Sequence, residues 1–381
     1  MENKDKLDSL NDMLNSVNNS SREKMGTQKD FEQAKHHHAK PKKKKMNKAV
    51  KVLLIILCVL LSICVALGGT WLILFKIGES QVKPNNDTSV SIKNDSVKTI
   101  DYNIVEYNGK KYKFNDKITS ILCLGVDKDN LGTVDGVVGT GGQADAVYLI
   151  AMDTDTAKLK VICISRDTLC DINIYSKEGE FIGTKNEQLC LSYAYGDGKL
   201  TSCENTAKAV SKLFYNIPIN TYYAIDKSAV AILNDELGGV NVPIFDENGN
   251  DTGKTETVMG SDAYEYVHFR DTKKLESNNL RIQRQLAYLK GFSKKFIEQS
   301  KQDLSVPMTF FNISQEYAAT NLNASSVTYF ATKLLTNGNL KMDFVKVNGE
   351  VKRDKDGHAA YHINEDSLTK TVIETYYTEV K

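Results

Sequence analysis

The sequence predicts an α/β protein: an α-β-α layered domain on a mixed central sheet, preceded by a single transmembrane helix. Three observations carry that prediction. Near-continuous apolar runs (SILCLGVD, DAVYLIAMD and KLKVICISRD) crowd between residues 120 and 167. Downstream, segments with helical spacing of apolar residues alternate with further strand-like runs. One uninterrupted apolar stretch, VLLIILCVLLSICVALGGTWLILF, extends from Val52 to Phe75.

That stretch carries no charge and meets the requirement of roughly 20 apolar residues for a membrane-spanning helix. Lys42 to Lys45, Lys48 and Lys51 precede it. The positive-inside rule therefore puts residues 1–51 in the cytoplasm, 52–75 in the membrane and the rest outside. A cleaved signal peptide is disfavoured, because the run exceeds an h-region of about 7–15 residues and follows a long polar leader. The leader (NDMLNSVNNSSREKMGTQKD) has no apolar pattern and is expected to be a disordered tail, in which His36, His37 and His38 are incidental rather than metal-binding. Residues 76–118 open on GESQVKPNNDTSVSIKNDSVKTIDYN and read as an extracellular stalk, leaving 119–381 as one extracellular domain. A net charge of +1 makes no whole-molecule case for nucleic acid, and the basic run is local to the membrane segment.

Within the domain, the first buried run ends on Asp127. The next two are separated only by TDTA, too short for a parallel crossover, so they form an antiparallel hairpin. Symmetric pairing about that turn sets Asp153 opposite Lys158 and Asp145 opposite Arg166, and a carboxylate meets a guanidinium at the sheet edge. CENTAKAVSKLFYN follows as a helix with Asn205 as candidate cap. YYAIDKSAVAILNDELGGVNVPI gives a strand, a helix stopped by Gly238 and Gly239, and a strand. The tail adds a helix near Ser325 to Leu335, a strand at KMDFVKVNG, and a strand and helix in AAYHINEDSLTKTVIETYY.

Of seven cysteines, Cys58 and Cys64 lie in the membrane run, and Cys123 and Cys163 are small hydrophobes of buried strands. Cys190 and Cys203 flank a Tyr/Gly-rich loop and are expected to pair as a disulfide, leaving Cys170 free. No Cys/His spacing indicates zinc.

The chemistry concentrates further on. EYVHFRDT reads as a strand with Tyr266, His268 and Arg270 on one side, and NLRIQRQLAYLKGF as a helix opened by Leu280. At about 100° per residue, Arg281, Arg284, Gln285 and Tyr288 gather beside an apolar face of Ile282, Leu286, Leu289 and Phe296. Arg281 and Gln285 stand one turn apart near the helix start, where free N–H groups favour an anion. A solvated charged face is the ordinary explanation of such a cluster. Paired guanidiniums on neighbouring elements also suit phosphate, whose oxygens they grip in bidentate fashion. Asp127 and Asp145 at strand ends suit a Mg²⁺ bridging two phosphates, while Arg166 taken alone reads as an ion pair with Asp145 or Asp167. Neither GxxxxGKS nor GxSxG occurs.

ILCLGVD, QADAVYLIAMD, VICISRDTL, SYAYGDG, LNDELGGVNV, and YVHFRDT followed by RIQRQ resemble, in order and spacing, the motifs of the LytR-CpsA-Psr family of Gram-positive bacteria. The likeness runs from about Thr119 to Phe292, a motif core within 119–300. It implies a single-pass anchored ligase that moves a glycopolymer, such as teichoic acid or capsule, from a polyprenyl diphosphate carrier to peptidoglycan. It also implies Mg²⁺ and arginines on the diphosphate, with the prenyl chain in an apolar pocket. By position it makes Asp127 and Asp145 catalytic carboxylates and metal ligands, and Arg166, Arg270 and Arg281 catalytic and phosphate-binding. His268 stands where the family has the first arginine of an RxR pair, Gln285 is a further phosphate ligand, and Gln188 and Cys190 replace the Lys and Asn of many members. Two rival functions share these residues: a non-catalytic polyprenyl-phosphate-binding or sensory module, and a lipid pyrophosphatase using water as acceptor.

Overall fold

The computed structural model describes residues 48–83, 90–101, 103–271, 277–337, 342–354 and 357–380. The amino-terminal tail read as cytoplasmic, with its three histidines, lies outside the described residues. The chain divides into two compact units, Met1–Ala66 and Leu67–Lys381. Helix α1 (Lys48–Val82) carries the run Val52 to Phe75, of which the side chains at 52–55, 57, 60 and 63 lie outside the described residues. Among the described residues no helix is long and apolar enough to cross a membrane. The anchor therefore rests on the sequence.

Within the second unit the end of α1 is docked. Phase-matched apolar contacts hold it: the Phe75 ring lies 5.1 Å from that of Tyr329, and Val82 is buried with its carbonyl accepting from Thr119 Oγ1 at 2.6 Å. A Cβ at Gly78 would fall 2.1 Å from the Ser325 carbonyl oxygen, so glycine is what permits the close approach. Gly78→Ala is expected to destabilise the second unit by about 1–3 kcal/mol through overpacking. An unchanged thermal midpoint in the full-length variant would contradict this contact.

The stretch read as a stalk contains three strands, a correction. β1 (Val97–Asp101), β2 (Ile104–Tyr107) and β3 (Lys110–Phe114) form an antiparallel meander. Its outward lysines hide the pattern in sequence, while Val105 is buried and Tyr107 and Tyr112 pack on the main core. The turn is Asn108-Gly109, with φ of 51° and 73°.

The three apolar runs are β4 (Ile118–Val126), β5 (Ala144–Asp153) and β6 (Leu159–Ile164). β5 and β6 pair antiparallel, Met152 opposite Leu159 and Val147 opposite Ile164. Continued by two residues, this register sets Asp145 opposite Arg166, as the short turn requires. The chain then forms a hairpin of β7 (Leu169–Tyr175) and β8 (Phe181–Gln188), a short helix α2 (Leu191–Ala194) and helix α3 (Leu200–Leu213). Asn205 is not the cap of α3: it lies buried inside the helix, its Nδ2 donating to the Tyr195 carbonyl at 3.0 Å. β9 (Thr221–Ile225) leads into α4 (Lys227–Glu236), capped by Asp226, which accepts from the Ala229 amide at 3.0 Å. Gly238 and Gly239, at φ 76° and 78°, stop it.

β10 (Val240–Phe245) and β11 (Asp251–Val258) make a separate hairpin, followed by α5 (Gly260–His268), α6 (Ser277–Gln302) and α7 (Val306–Ser314). Helix α5 overturns the strand read into EYVHFRDT. Ala263 and Tyr266 recur at helical spacing and face the core around Leu237 and Val242, and this burial outweighs a two-residue alternation that nothing pairs with. The remainder is β12 (Ala318–Thr320), α8 (Ala324–Thr336), β13 (Met342–Lys346), β14 (Gly349–Arg353), β15 (Ala359–Ile363), α9 (Glu365–Tyr376) and β16 (Tyr377–Val380), which pairs with β3.

Six strands form the mixed central sheet in the order β12-β9-β4-β5-β6-β13, with β4/β9 and β6/β13 parallel and the other neighbours antiparallel. Alternation gives each face its own core. Leu122, Leu124 and Leu149 join Val210 of α3 and Val372 of α9, while Ile121, Ile150 and Met152 join Tyr329 and Phe330 of α8. Helices thus cover both faces of a mixed sheet, as the sequence predicts.

Candidate active site

The carboxyl end of β4, the start of β5, the end of β6 and the first turns of α6 converge. Asp145 is the centre. Its Oδ1 accepts from Arg166 Nη1, and its Oδ2 accepts from Arg281 Nη1 at 3.1 Å. Arg166 also donates through Nη2 to Gln143 Oε1, and the same nitrogen lies 3.0 Å from Cys190 Sγ. Asp127, just beyond β4, accepts from the Gln143 amide at 2.7 Å, which ties the 127–143 loop closed beneath the site.

Burial sets the electrostatics. Arg281 is 2% exposed, and desolvation lowers its pKa against the pull of Asp145. Burial works against the Arg166 charge as well, yet Cys190, Asp145 and Asp167 together raise its pKa. Asp167 is buried, and desolvation raises its carboxyl pKa although Arg166, Arg270 and Arg281 oppose the rise. The Nε atoms of Arg166 and Arg281 are buried without a hydrogen-bond partner. Two guanidiniums are therefore held on either side of Asp145, with Asp167 beside Arg166 and donor capacity to spare.

The sequence-selected residues fall into three places. Asp127, Asp145, His268, Arg281 and Gln285 line one cleft of about 70 Å³, together with Lys227. Arg166 joins them through Asp145. Arg270 borders a neighbouring cleft of about 420 Å³ beside Arg284 and Phe269, and its charge is still felt at Asp167 and Arg281. His268 and Arg270 do not share a strand face. His268 ends α5, its ring stacked on Tyr264 with centroids 4.7 Å apart, and Arg270 lies beyond the helix.

Gln285 and Arg284 hold the architecture. Gln285 accepts from Tyr148 OH and donates to the Val267 carbonyl, both at 3.1 Å, pinning α5 to α6 and β5. Arg284 donates to the carbonyls of Tyr266 (2.9 Å) and Phe269 and lies over the Phe269 ring, satisfying the carboxyl end of α5. Sequence reasoning missed Gln143 and Asn278, both of which contact the arginines. Their signal was position: one lies two residues before Asp145, the other one turn before Arg281.

All described cysteines are free, so the expected disulfide between Cys190 and Cys203 is not formed. Cys203 points from α3 to the Ala319 carbonyl at 3.8 Å, whereas Cys190 turns to Arg166. Burial pushes the Cys190 thiol up to about 11. Unreduced protein unfolded in guanidinium chloride is expected to titrate all seven cysteines with a thiol reagent. A count two short would restore the disulfide.

Further along α6, Phe292 and Phe296 line an apolar cavity of about 320 Å³ with Phe310, Phe311, Phe330 and Leu334. Phe292 lies roughly 16 Å beyond Arg281 at 1.5 Å per helical residue. One helix thus carries a guanidinium into the polar cleft and aromatic rings into the apolar one.

Fold and site together define a class, and the comparisons agree. Residues 78–375 match the LytR_cpsA_psr family, and the chain belongs to that family. An uncharacterized protein of Staphylococcus aureus is 23% identical over 339 residues, which span 85% of this chain and 75% of that one. The polyisoprenyl-teichoic acid–peptidoglycan teichoic acid transferase TagU of Enterococcus faecalis is 23% identical over 269 residues, 67% of this chain and 78% of that one. The crystal structure of TagV from B. subtilis superposes with a TM-score of 0.52 at 20% identity, covering 68% of this chain and 95% of that one, a likeness of fold.

Proposed function

We propose that this protein is a membrane-anchored phosphotransferase that moves a glycopolymer from a polyprenyl diphosphate carrier to peptidoglycan at the outer face of the cell membrane. The observation that carries the reading is the convergence of Arg166 and Arg281 on Asp145 at a cleft, with the apolar cavity on the same helix. The name of the E. faecalis relative supports teichoic acid as the class of polymer. The charge-free run Val52 to Phe75 supports the anchor, which keeps the domain where a lipid carrier resides.

The headgroup needs cations and the tail needs apolar burial. Arg281 and Arg166 supply bidentate donors for phosphate oxygens, and His268, Arg270 and Gln285 lie at or beside the same cleft. Each buried methylene of the prenyl chain contributes about 0.8 kcal/mol, so the cavity needs to enclose only part of it. In the reaction a sugar hydroxyl of the acceptor forms a bond to the sugar-linked phosphorus, and the bond from that phosphorus to the prenyl phosphate oxygen breaks. The hydroxyl proton passes to a carboxylate of the cleft. The guanidiniums neutralise charge that gathers on the phosphate oxygens, the main task in such chemistry. Asp127 and Asp145 line one cleft, and among the described residues no group of three or more His, Cys, Asp or Glu side chains is placed to hold a metal ion by protein ligands alone. Asp127 and Asp145, completed by substrate oxygens and water, would hold Mg²⁺, which would supply Lewis-acid polarisation of phosphate oxygens.

The test uses full-length protein in detergent, Mg²⁺, a radiolabelled lipid-linked saccharide and peptidoglycan. Label is expected to move to peptidoglycan. Tight lipid binding with neither transfer nor hydrolysis would leave a binding module. Hydrolysis at an unchanged rate with acceptor present would make the protein a pyrophosphatase.

A further inference from the structure

Five side chains close a ring beneath the cleft. Asp145 accepts from Arg166 on one oxygen and from Arg281 on the other. Arg281 Nη2 donates to Asn278 Oδ1 at 2.9 Å, and Asn278 Nδ2 donates to Asp167 Oδ2 at 2.8 Å. Asp167 Oδ1 completes the circuit 3.5 Å from Arg166 Nε, an ion-pair contact too long for a hydrogen bond. Arg281, Asn278 and Asp167 are each less than a tenth exposed. Two carboxylates balance two guanidiniums, and the carboxamide is neutral.

We infer that Asp167 and Asn278 are positioning residues that fix the direction of Arg166 and Arg281 for phosphoryl transfer, an inference that rests on the diphosphate reading above. A guanidinium on a long side chain carries considerable rotamer entropy, and misplacement of about 1 Å can cost roughly 100-fold in rate. Arg281 escapes that freedom because it is gripped at both ends of its fork, by Asp145 and by Asn278. Chemistry also fixes which way the amide of Asn278 points. Arginine only donates, so the amide oxygen faces Arg281; ionised Asp167 only accepts, so the amide nitrogen faces Asp167. A second carboxylate could not play that part, since it would confront Asp167.

The experiment measures the transfer rate and the affinity for farnesyl diphosphate in full-length protein with Mg²⁺. Asn278→Ala leaves every charge in place and is expected to slow transfer about 100-fold at saturating lipid, with a smaller change in affinity. Asn278→Asp sets two carboxylates face to face, so its rate is expected to fall at about pH 8 and recover toward about pH 6, as the pair takes up a shared proton. Combining Asn278→Asp with Asp167→Asn restores one carboxylate and one carboxamide across the contact, and is expected to regain about tenfold over Asn278→Asp alone at about pH 8. A merely structural role would produce neither the pH shift nor the rescue.

Wild-type transfer by Asn278→Ala, or a combined variant no faster than Asn278→Asp, overturns the inference. If the wild type binds farnesyl diphosphate but transfers nothing, the transferase reading falls separately. The affinities then decide: equal values across the variants overturn the ring, and a weakening in Asn278→Ala that the paired exchange relieves in Asn278→Asp upholds it. Should Asn278→Ala fail to fold, the paired exchange, which keeps the hydrogen bond, gives the answer.

Discussion

Asp145→Ala is expected to destabilise the protein by about 3–5 kcal/mol, the usual consequence of removing one partner from a buried ion pair. The cause lies in what stays behind. Arg166 and Arg281 have side chains 11% and 2% exposed, and the truncation leaves the two buried guanidiniums with Asp167 as their one remaining carboxylate in the ring, 3.5 Å from Arg166. Because neither arginine readily sheds its proton, the cost falls on folding rather than on a titration. Asp145→Asn should cost less, since the amide oxygen still accepts one bond. Urea unfolding of the two variants measures both values. A loss below about 1 kcal/mol for the alanine variant would mean that the pair is wet, in the range of exposed ion pairs.

Arg281→Ala is expected to reduce glycopolymer transfer by about 10²–10³, the range for deleting one preorganised donor to developing charge. Arg284→Ala provides the contrast. Arg284 is one turn further along α6, but its donors are spent on the Tyr266 and Phe269 carbonyls. Its loss is expected to lower stability while sparing the rate at saturating lipid. Equal rate losses in the two variants would remove Arg281 from the chemistry and leave α6 as a scaffold only.

The sheet was legible because β4, β5 and β6 are largely buried and their apolar runs are near-continuous. The TDTA turn then dictated the register that sets Asp145 opposite Arg166. Meander β1–β3 was hidden by lysines on its solvent face, although Asn108-Gly109, a strong hairpin signal, marked its turn. EYVHFRDT misled because eight residues with aromatics fit either period; α5 wins through burial of Ala263 in the core formed by Leu237, Val242 and Val258, which a local alternation does not show. The same mistake put His268 and Arg270 on one face. Asn278 was invisible for a different reason: an Asn at a helix start ordinarily signals a cap, and only the fold brings Asp167 to its other side.

Mapping a photoreactive prenyl diphosphate on the full-length protein tests the central claim most directly, by mass spectrometry of the labelled peptides. Label from the tail is expected on the cavity lining, at Phe292, Phe296, Phe310 or Phe330, and to disappear in Arg281→Ala. Label on other surfaces, or cavity label undiminished by Arg281→Ala, would contradict a single site joining the polar cleft to the apolar cavity.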